Sequence, residues 1–217
     1  MEAWDLQRRL AEARQEGRIP DVLLLLQHPP TYTLGRRGKE ENILLPPAEL
    51  QRRGITLHHV DRGGDVTYHG PGQLVGYPIL RLYPERLDYV RYIRDVERAL
   101  LHAVRDLGVP AHLLDGFSGV WVGNEKVCAI GVKIDAYGVT SHGFALNVNV
   151  DLSYFDHIIP CGITDKGVAS LDRLLRRTVS MRRVEAVVVS RLASAFGLTV
   201  PRRSTSRRSL ERLLRAA

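Results

Sequence analysis

The 217-residue chain is short of several things, and each shortage excludes a class. It has two cysteines, Cys128 and Cys161, and no C-x-x-C pair. Two thiols cannot staple a small secreted scaffold, so free thiols and a cytoplasmic location are expected. The longest purely aliphatic run, Val22 to Leu26, falls far below the roughly 20 apolar residues that span a bilayer. The opening MEAWDLQRRLAEARQEG is charged throughout and lacks the apolar core of a secretory signal, so no membrane role is expected. Histidines are scattered, H-E-x-x-H is missing, and His58 and His59 are strand neighbours that point to opposite faces. A metal site is therefore not expected. The chain also lacks G-x-x-x-x-G-K-[ST], and its glycine-rich stretch does not open a helix as a dinucleotide fingerprint would. No cofactor is expected. Lysine is scarce too: of 31 basic residues only Lys39, Lys126, Lys133 and Lys166 are lysines.

What is present suits a soluble globular protein: 44% hydrophobic and 25% charged residues. The length fits a single domain over 1–217, with 180–217 as an alternative small lobe. No internal repeat is visible. Helical spacing predicts helices over 2–16, 46–53, 88–107, 167–176 and 180–196. Strands are expected over 21–27, 55–60, 73–80, 110–114, 117–122, 126–134 and 139–150. HPPTYTLGRRG interrupts the early pattern with Pro29, Pro30 and Gly35. Strand pairs mixed with segregated helices indicate an α+β fold, a mixed sheet with flanking helices. The tail at 203–217 either ends in a short basic helix or stays mobile.

Net charge is +7, which suits an acidic protein partner or nucleic acid. The basic tail lacks interleaved aromatics, which argues against nucleic acid.

Strand parity orders the candidate chemistry. Lys126, Cys128, Ile130, Val132 and Ile134 alternate onto one face, so Lys126 heads an otherwise apolar row and Lys133 lies on the opposite face. Lys126 is then either partly desolvated or a lysine that snorkels to water. Gly143, Ala145, Asn147 and Asn149 make a small, polar face, suited to a ligand lying on the backbone or to close packing of another element. Cys128 reads as a small core hydrophobe. Cys161, between Pro160 and Gly162 in an expected loop, is the better nucleophile candidate. A thiol nucleophile needs its thiolate, which a nearby lysine or histidine would favour.

The stretch DRGGDVTYHGPGQ, Asp61 to Gln73, puts Gly63, Gly64, Gly70 and Gly72 around Thr67, Tyr68 and His69. It reads as a glycine-rich hairpin turn, or as a place where backbone closes on a ligand that polar side chains hold.

RGGDVTYHGPGQLVGYP, KVCAIGVKI, SHGFALNVNVDL and PCGITDKGVASL, in this order, resemble the lipoyl(octanoyl) transferases, from about residue 20 to about 180. The resemblance implies a fold similar to the catalytic domain of biotin and lipoate protein ligases. It implies transfer of an octanoyl group from octanoyl-acyl carrier protein to a lysine of lipoyl domains, in 2-oxoacid dehydrogenases and the glycine cleavage H protein. It implies Cys161 as the acyl-carrying nucleophile and Lys126 as its partner. Substrate contacts are implied at Arg62, Gly63, Gly64, Asp65, Val66, Thr67, Tyr68 and His69. Further contacts are implied at Ala129, Ile130 and Gly131, and at Gly143, Phe144 and Ala145. The rivals are an ATP-dependent ligase of the same fold, which needs no cysteine, and a non-catalytic binding module.

Overall fold

Apolar runs and the turns between them dictate ten strands and five helices among the residues described by the computed structural model, 2–82, 88–159, 166–200, 210–211 and 214. In chain order they are α1 (Glu2–Gln15), β1 (Val22–Leu26), β2 (Thr31–Leu34), α2 (Pro47–Arg52), β3 (Thr56–His59), β4 (Val66–His69) and β5 (Gln73–Ile79). Then follow α3 (Tyr89–Asp106), β6 (His112–Leu114), β7 (Phe117–Val122), β8 (Glu125–Ile134), β9 (Thr140–Asn147), β10 (Gly167–Val168), α4 (Leu171–Leu175) and α5 (Met181–Phe196).

The larger sheet has the spatial order β1-β5-β9-β8-β7-β6, antiparallel throughout, with β10 added parallel to β8. The smaller sheet has β2 at its centre, parallel to β3 and antiparallel to β4. Both sheets are thus mixed, as the α+β reading expects. One face of the larger sheet packs on α3 and α5 through Leu100, Val104, Val120, Cys128, Leu146 and Val188. Asp88 starts α3 by accepting from the amides of Val90 and Arg91, which otherwise have no partner in a first turn. The other face is only partly covered: α1 lays Leu10 and Ala13 over Val75, Ile79 and Ala145, and Leu210 joins them. The smaller sheet has its own core of Tyr32, Leu34, Val66, Tyr68 and Ile158.

Three expectations are corrected. PTYTLGRRG and DRGGDVTYHG were broken by prolines and glycines in the sequence, yet each contains a strand, β2 and β4, because the two pair with one another over four residues. The expected helix at 167–176 is shorter. Gly167 and Val168 are strand, held by bonds from Gly167 N to Asn124 O and Ala169 N to Lys126 O, and α4 begins only at Leu171. The parity of β8 also fails at its start. Trp121 pairs with Lys126 but Val120 pairs with Cys128, so Val127 is an extra residue, a β-bulge. Val127 and Cys128 both turn into the α3 core, and Lys126 falls on the other face, the face of Ala129, Gly131 and Lys133. No described helix is long and apolar enough to cross a membrane.

Candidate active site

The half-covered face of the larger sheet and the adjoining smaller sheet enclose a cleft of about 1920 Å³. Every site residue expected from the sequence lines it, apart from Tyr68, and apart from Cys161, which lies outside the described residues.

The glycine-rich stretch enters along β8. Gly63 N donates to Val132 O at 3.1 Å. A Cβ on Gly131 would lie 3.0 Å from Gly63 O and 3.1 Å from the Arg62 side chain, so any side chain there would press on this crossing. The buried Arg62 guanidinium donates to Gly63 O at 3.0 Å, and to Thr33 O and Oγ1, both at 2.8 Å. It thereby ties the stretch to β2. Because β7 covers β8 only as far as Cys128, the edge beyond is open among the described residues except for the Gly63 bond. Backbone polar groups alternate sides along a strand. Ile130, two residues before Val132, therefore turns its N–H and C=O to this open edge.

The Asp65 carboxylate is spent on the chain itself. It accepts from Lys39 N, Val66 N and Asn42 Nδ2, at 3.3, 2.7 and 2.6 Å, and so holds the loop after β2. Alternation along β4 sends Thr67 and His69 to the cleft, and Val66 and Tyr68 into the core of the smaller sheet. The Tyr68 ring stacks on Tyr154 within that core, centroids 4.6 Å apart.

His69 ends a hydrogen-bonded relay that crosses three strands. Asn147 Nδ2 donates to Ala169 O at 3.0 Å, and Gln73 Nε2 donates to Asn147 Oδ1 at 3.0 Å and to Tyr68 O at 3.1 Å. Gln73 Oε1 is then an acceptor, 2.9 Å from His69 Nδ1, so Nδ1 carries the proton and Nε2 keeps its lone pair. Burial, reinforced by nearby His28, holds the His69 imidazole at about 3 despite the Gln73 bond. His28 is likewise pushed down to about 4, mainly by burial, and its Nε2 lies 2.7 Å from the Tyr77 hydroxyl.

A second cluster sits at Asp61, whose carboxylate takes Lys133 Nζ at 2.5 Å and His142 Nε2 at 2.7 Å. Partial burial raises the Asp61 carboxyl, but these two bonds outweigh it and hold it at about 2. Lys133 is thus engaged elsewhere. His142 has φ 56, a left-handed conformation uncommon for a side-chain-bearing residue, and its amide is fixed by Gln7 Oε1 at 2.8 Å.

Like Lys166, Lys126 lines the cleft. Its Nζ lies over the Trp121 ring, 4.7 Å from the centroid. Its partner strand β10 follows directly on the segment containing Cys161, and Val168 pairs with Lys126 itself. At the other flank, Ile159 N donates to Asn42 O at 2.9 Å. Cys128 is fully buried, and burial raises its thiol well above the ordinary range, which suits packing and not attack. The sequence reading did not single out Gln73, Asp61 or Trp121, although it put Asn147 on the small polar face of β9. Gln73 and Asp61 bound the glycine-rich stretch that it did quote.

Residues 1–193 match the family model of the lipoyl protein ligase A/B catalytic domain. An octanoyltransferase of Chloroflexus aggregans is 48% identical over 198 residues, covering 90% of each chain. One of Rubrobacter xylanophilus is 49% identical over 197 residues, covering 90% of this chain and 88% of that one. Among solved structures, a lipoate-protein ligase A bound with ATP superposes with TM-score 0.78 at 18% identity, over 97% of this chain and 86% of that one. A lipoate protein ligase of T. acidophilum gives TM-score 0.73 at 16% identity, over 98% of this chain and 88% of that one. Identities this low speak for the fold alone.

Proposed function

The chain belongs to the lipoyl protein ligase A/B catalytic domain family and is an octanoyltransferase of protein lipoylation, and from this premise we propose that it works through a cysteine-bound octanoyl thioester. Cys161 carries the acyl group and Lys126 handles the protons. The donor is octanoyl-acyl carrier protein. The acceptor is a lysine of lipoyl domains, those of 2-oxoacid dehydrogenases and of the glycine cleavage H protein, and the setting is the cytoplasm.

The supporting observation is the pairing of β10 with β8: the strand that leaves the Cys161 segment lies beside Lys126 at the cleft. In the first step the Cys161 thiolate attacks the octanoyl carbonyl. The bond to the carrier sulfur breaks, and the departing thiolate takes a proton from the Lys126 ammonium. The acceptor lysine must then lose a proton, since a free lysine has a pKa of about 10.4. Neutral Lys126 accepts it. The amine attacks the enzyme thioester, an amide forms, the Cys161 thiolate leaves, and the second amine proton goes to solvent. The thioester carries the activation, so no nucleotide is consumed. The donor for the tetrahedral oxyanion is the Ile130 N–H at the open edge of β8.

The test is to incubate the protein with octanoyl-carrier and weigh it. An octanoyl adduct is expected, and Cys161→Ala is expected to abolish it. An adduct that persists in that variant removes the residue from the chemistry. Octanoylation of a lipoyl domain that requires free octanoate and ATP instead points to a ligase.

A further inference from the structure

Lys126 belongs to a row of four residues, and its other three members, Trp121, Phe117 and Lys166, are not used in the reaction so described. Lys126 Nζ stands over the indole of Trp121, the Phe117 ring meets that indole edge-on at 6.0 Å, and Lys166 Nζ stands 4.8 Å over Phe117. Two of the four lysines in an arginine-rich chain thus rest on one aromatic pair. They bracket β10, since Lys166 precedes it and Lys126 pairs with it.

The surroundings of Lys126 are built for this pose. The Val127 bulge turns the side chain to the cleft face, onto its direct partner Trp121. Gly119 has φ +115, and a Cβ there would lie 2.4 Å from Cys128 O and 3.4 Å from Lys126 Cδ and Cε. The lysine stem therefore runs over a bare backbone on its way to the ring. Glu97, reaching up from α3, accepts from Gly119 N at 2.9 Å and fixes that backbone. Trp121 itself is buried, yet its Nε1–H has no hydrogen-bond partner among the described residues. An orphaned buried donor costs stability that leucine or phenylalanine would not incur. What the indole offers in exchange is its face, the strongest cation-binding surface among side chains.

We propose that Trp121 is a positioning residue of the transferase, one that holds the Lys126 ammonium on the indole face, with Phe117 bracing the ring. This rests on the assignment of Lys126 as partner of Cys161. Phe117 ties Lys166, and with it the strand leaving the Cys161 segment, to the same platform.

The test follows alkylation of Cys161 by iodoacetamide against pH, read by peptide mass. It compares the full-length protein, Lys126→Ala, Trp121→Leu and Trp121→Phe. Trp121→Leu is expected to slow alkylation at neutral pH roughly 2- to 30-fold and to move the profile to higher pH. Trp121→Phe is expected to recover most of the loss. An unchanged profile in Trp121→Leu, with Lys126→Ala displaced, overturns the inference and leaves the Cys161–Lys126 reading intact. An unchanged profile in Lys126→Ala overturns that reading first. Should Trp121→Leu fail to fold, fluorinated tryptophans incorporated in a Trp4→Phe background keep the shape and drain the ring face. A stepwise decline in alkylation rate with fluorine content is then expected, and a flat series rejects the proposal.

Discussion

His69 shows how one residue is committed by its neighbours. The relay from Ala169 O through Asn147 and Gln73 leaves its Nδ1 no role but donor, and burial keeps the ring neutral, with a value of about 3 against 6.5 in a free histidine. A depressed value stabilises the fold at neutral pH and withdraws that stability on acidification. Below pH 6.5 the unfolded chain binds a proton that the folded ring refuses until about pH 3. His69 alone therefore tilts the stability curve by up to about 1.4 kcal/mol per pH unit inside that window. His69→Gln keeps a polar side chain beside Gln73 and removes the titration. Urea unfolding at pH 7, 6 and 5 is expected to show a shallower acid limb in the variant. Parallel limbs would mean that the ring is protonated in the fold. Asp61 acts on a lower window. Lys133 and His142 hold it at about 2, so its contribution is present at neutral pH and fades as the solution falls from pH 4 towards 2.

At the scale of elements, β8 shows where sequence reading succeeds and where it stops. The alternation of Cys128, Ile130, Val132 and Ile134 is legible because the face against α3 is apolar, and the small face of β9 is legible because missing side chains leave room. The bulge at Val127 leaves no trace in the sequence: valine suits either face, and the extra residue exists only relative to β7. Parity therefore put Lys126 on the wrong side of the sheet. Strands β2 and β4 were hidden for a related reason, since their pairing partners lie some 35 positions apart and glycine and proline dominate the local pattern. The bulge also depends on a carboxylate that sequence alone would assign to a solvated helix face. Glu97 is buried in α3 and receives the Gly119 amide. Glu97→Ala is expected to strand that amide and to cost about 1–3 kcal/mol in chemical unfolding. Octanoyl transfer should fall with it, since the backbone under Lys126 loosens. Glu97→Gln retains an acceptor and should recover most of both. A Glu97→Ala protein as stable as the parent would show that the β7–β8 bulge holds itself.

For the whole molecule, the +7 charge becomes a kinetic quantity once the cleft is located. Arg37, Lys126, Lys166 and Arg182 all line it, and Arg37 is exposed. Arg36 and Arg37 sit on the loop that Asp65 holds, with the Arg37 amide bonded to Gly64 O at 3.1 Å, so they stand beside the glycine-rich turn. On the proposed function, this basic surface meets a carrier protein and a lipoyl domain of opposite charge. Opposite charge accelerates encounter far more than it strengthens the bound state, and salt screens it over about 10 Å at 0.1 M. Raising ionic strength from about 0.05 to 0.5 M is therefore expected to lower kcat/KM for octanoyl-carrier roughly tenfold while kcat changes little. Arg37→Glu should give a lower kcat/KM at low salt and a flatter salt dependence. A short octanoyl thioester without the protein carrier is the control, because it has no charged surface to steer. If the small thioester shows the same salt dependence as the carrier, the effect belongs to the chemistry of the cleft, and the arginine surface plays no part in encounter.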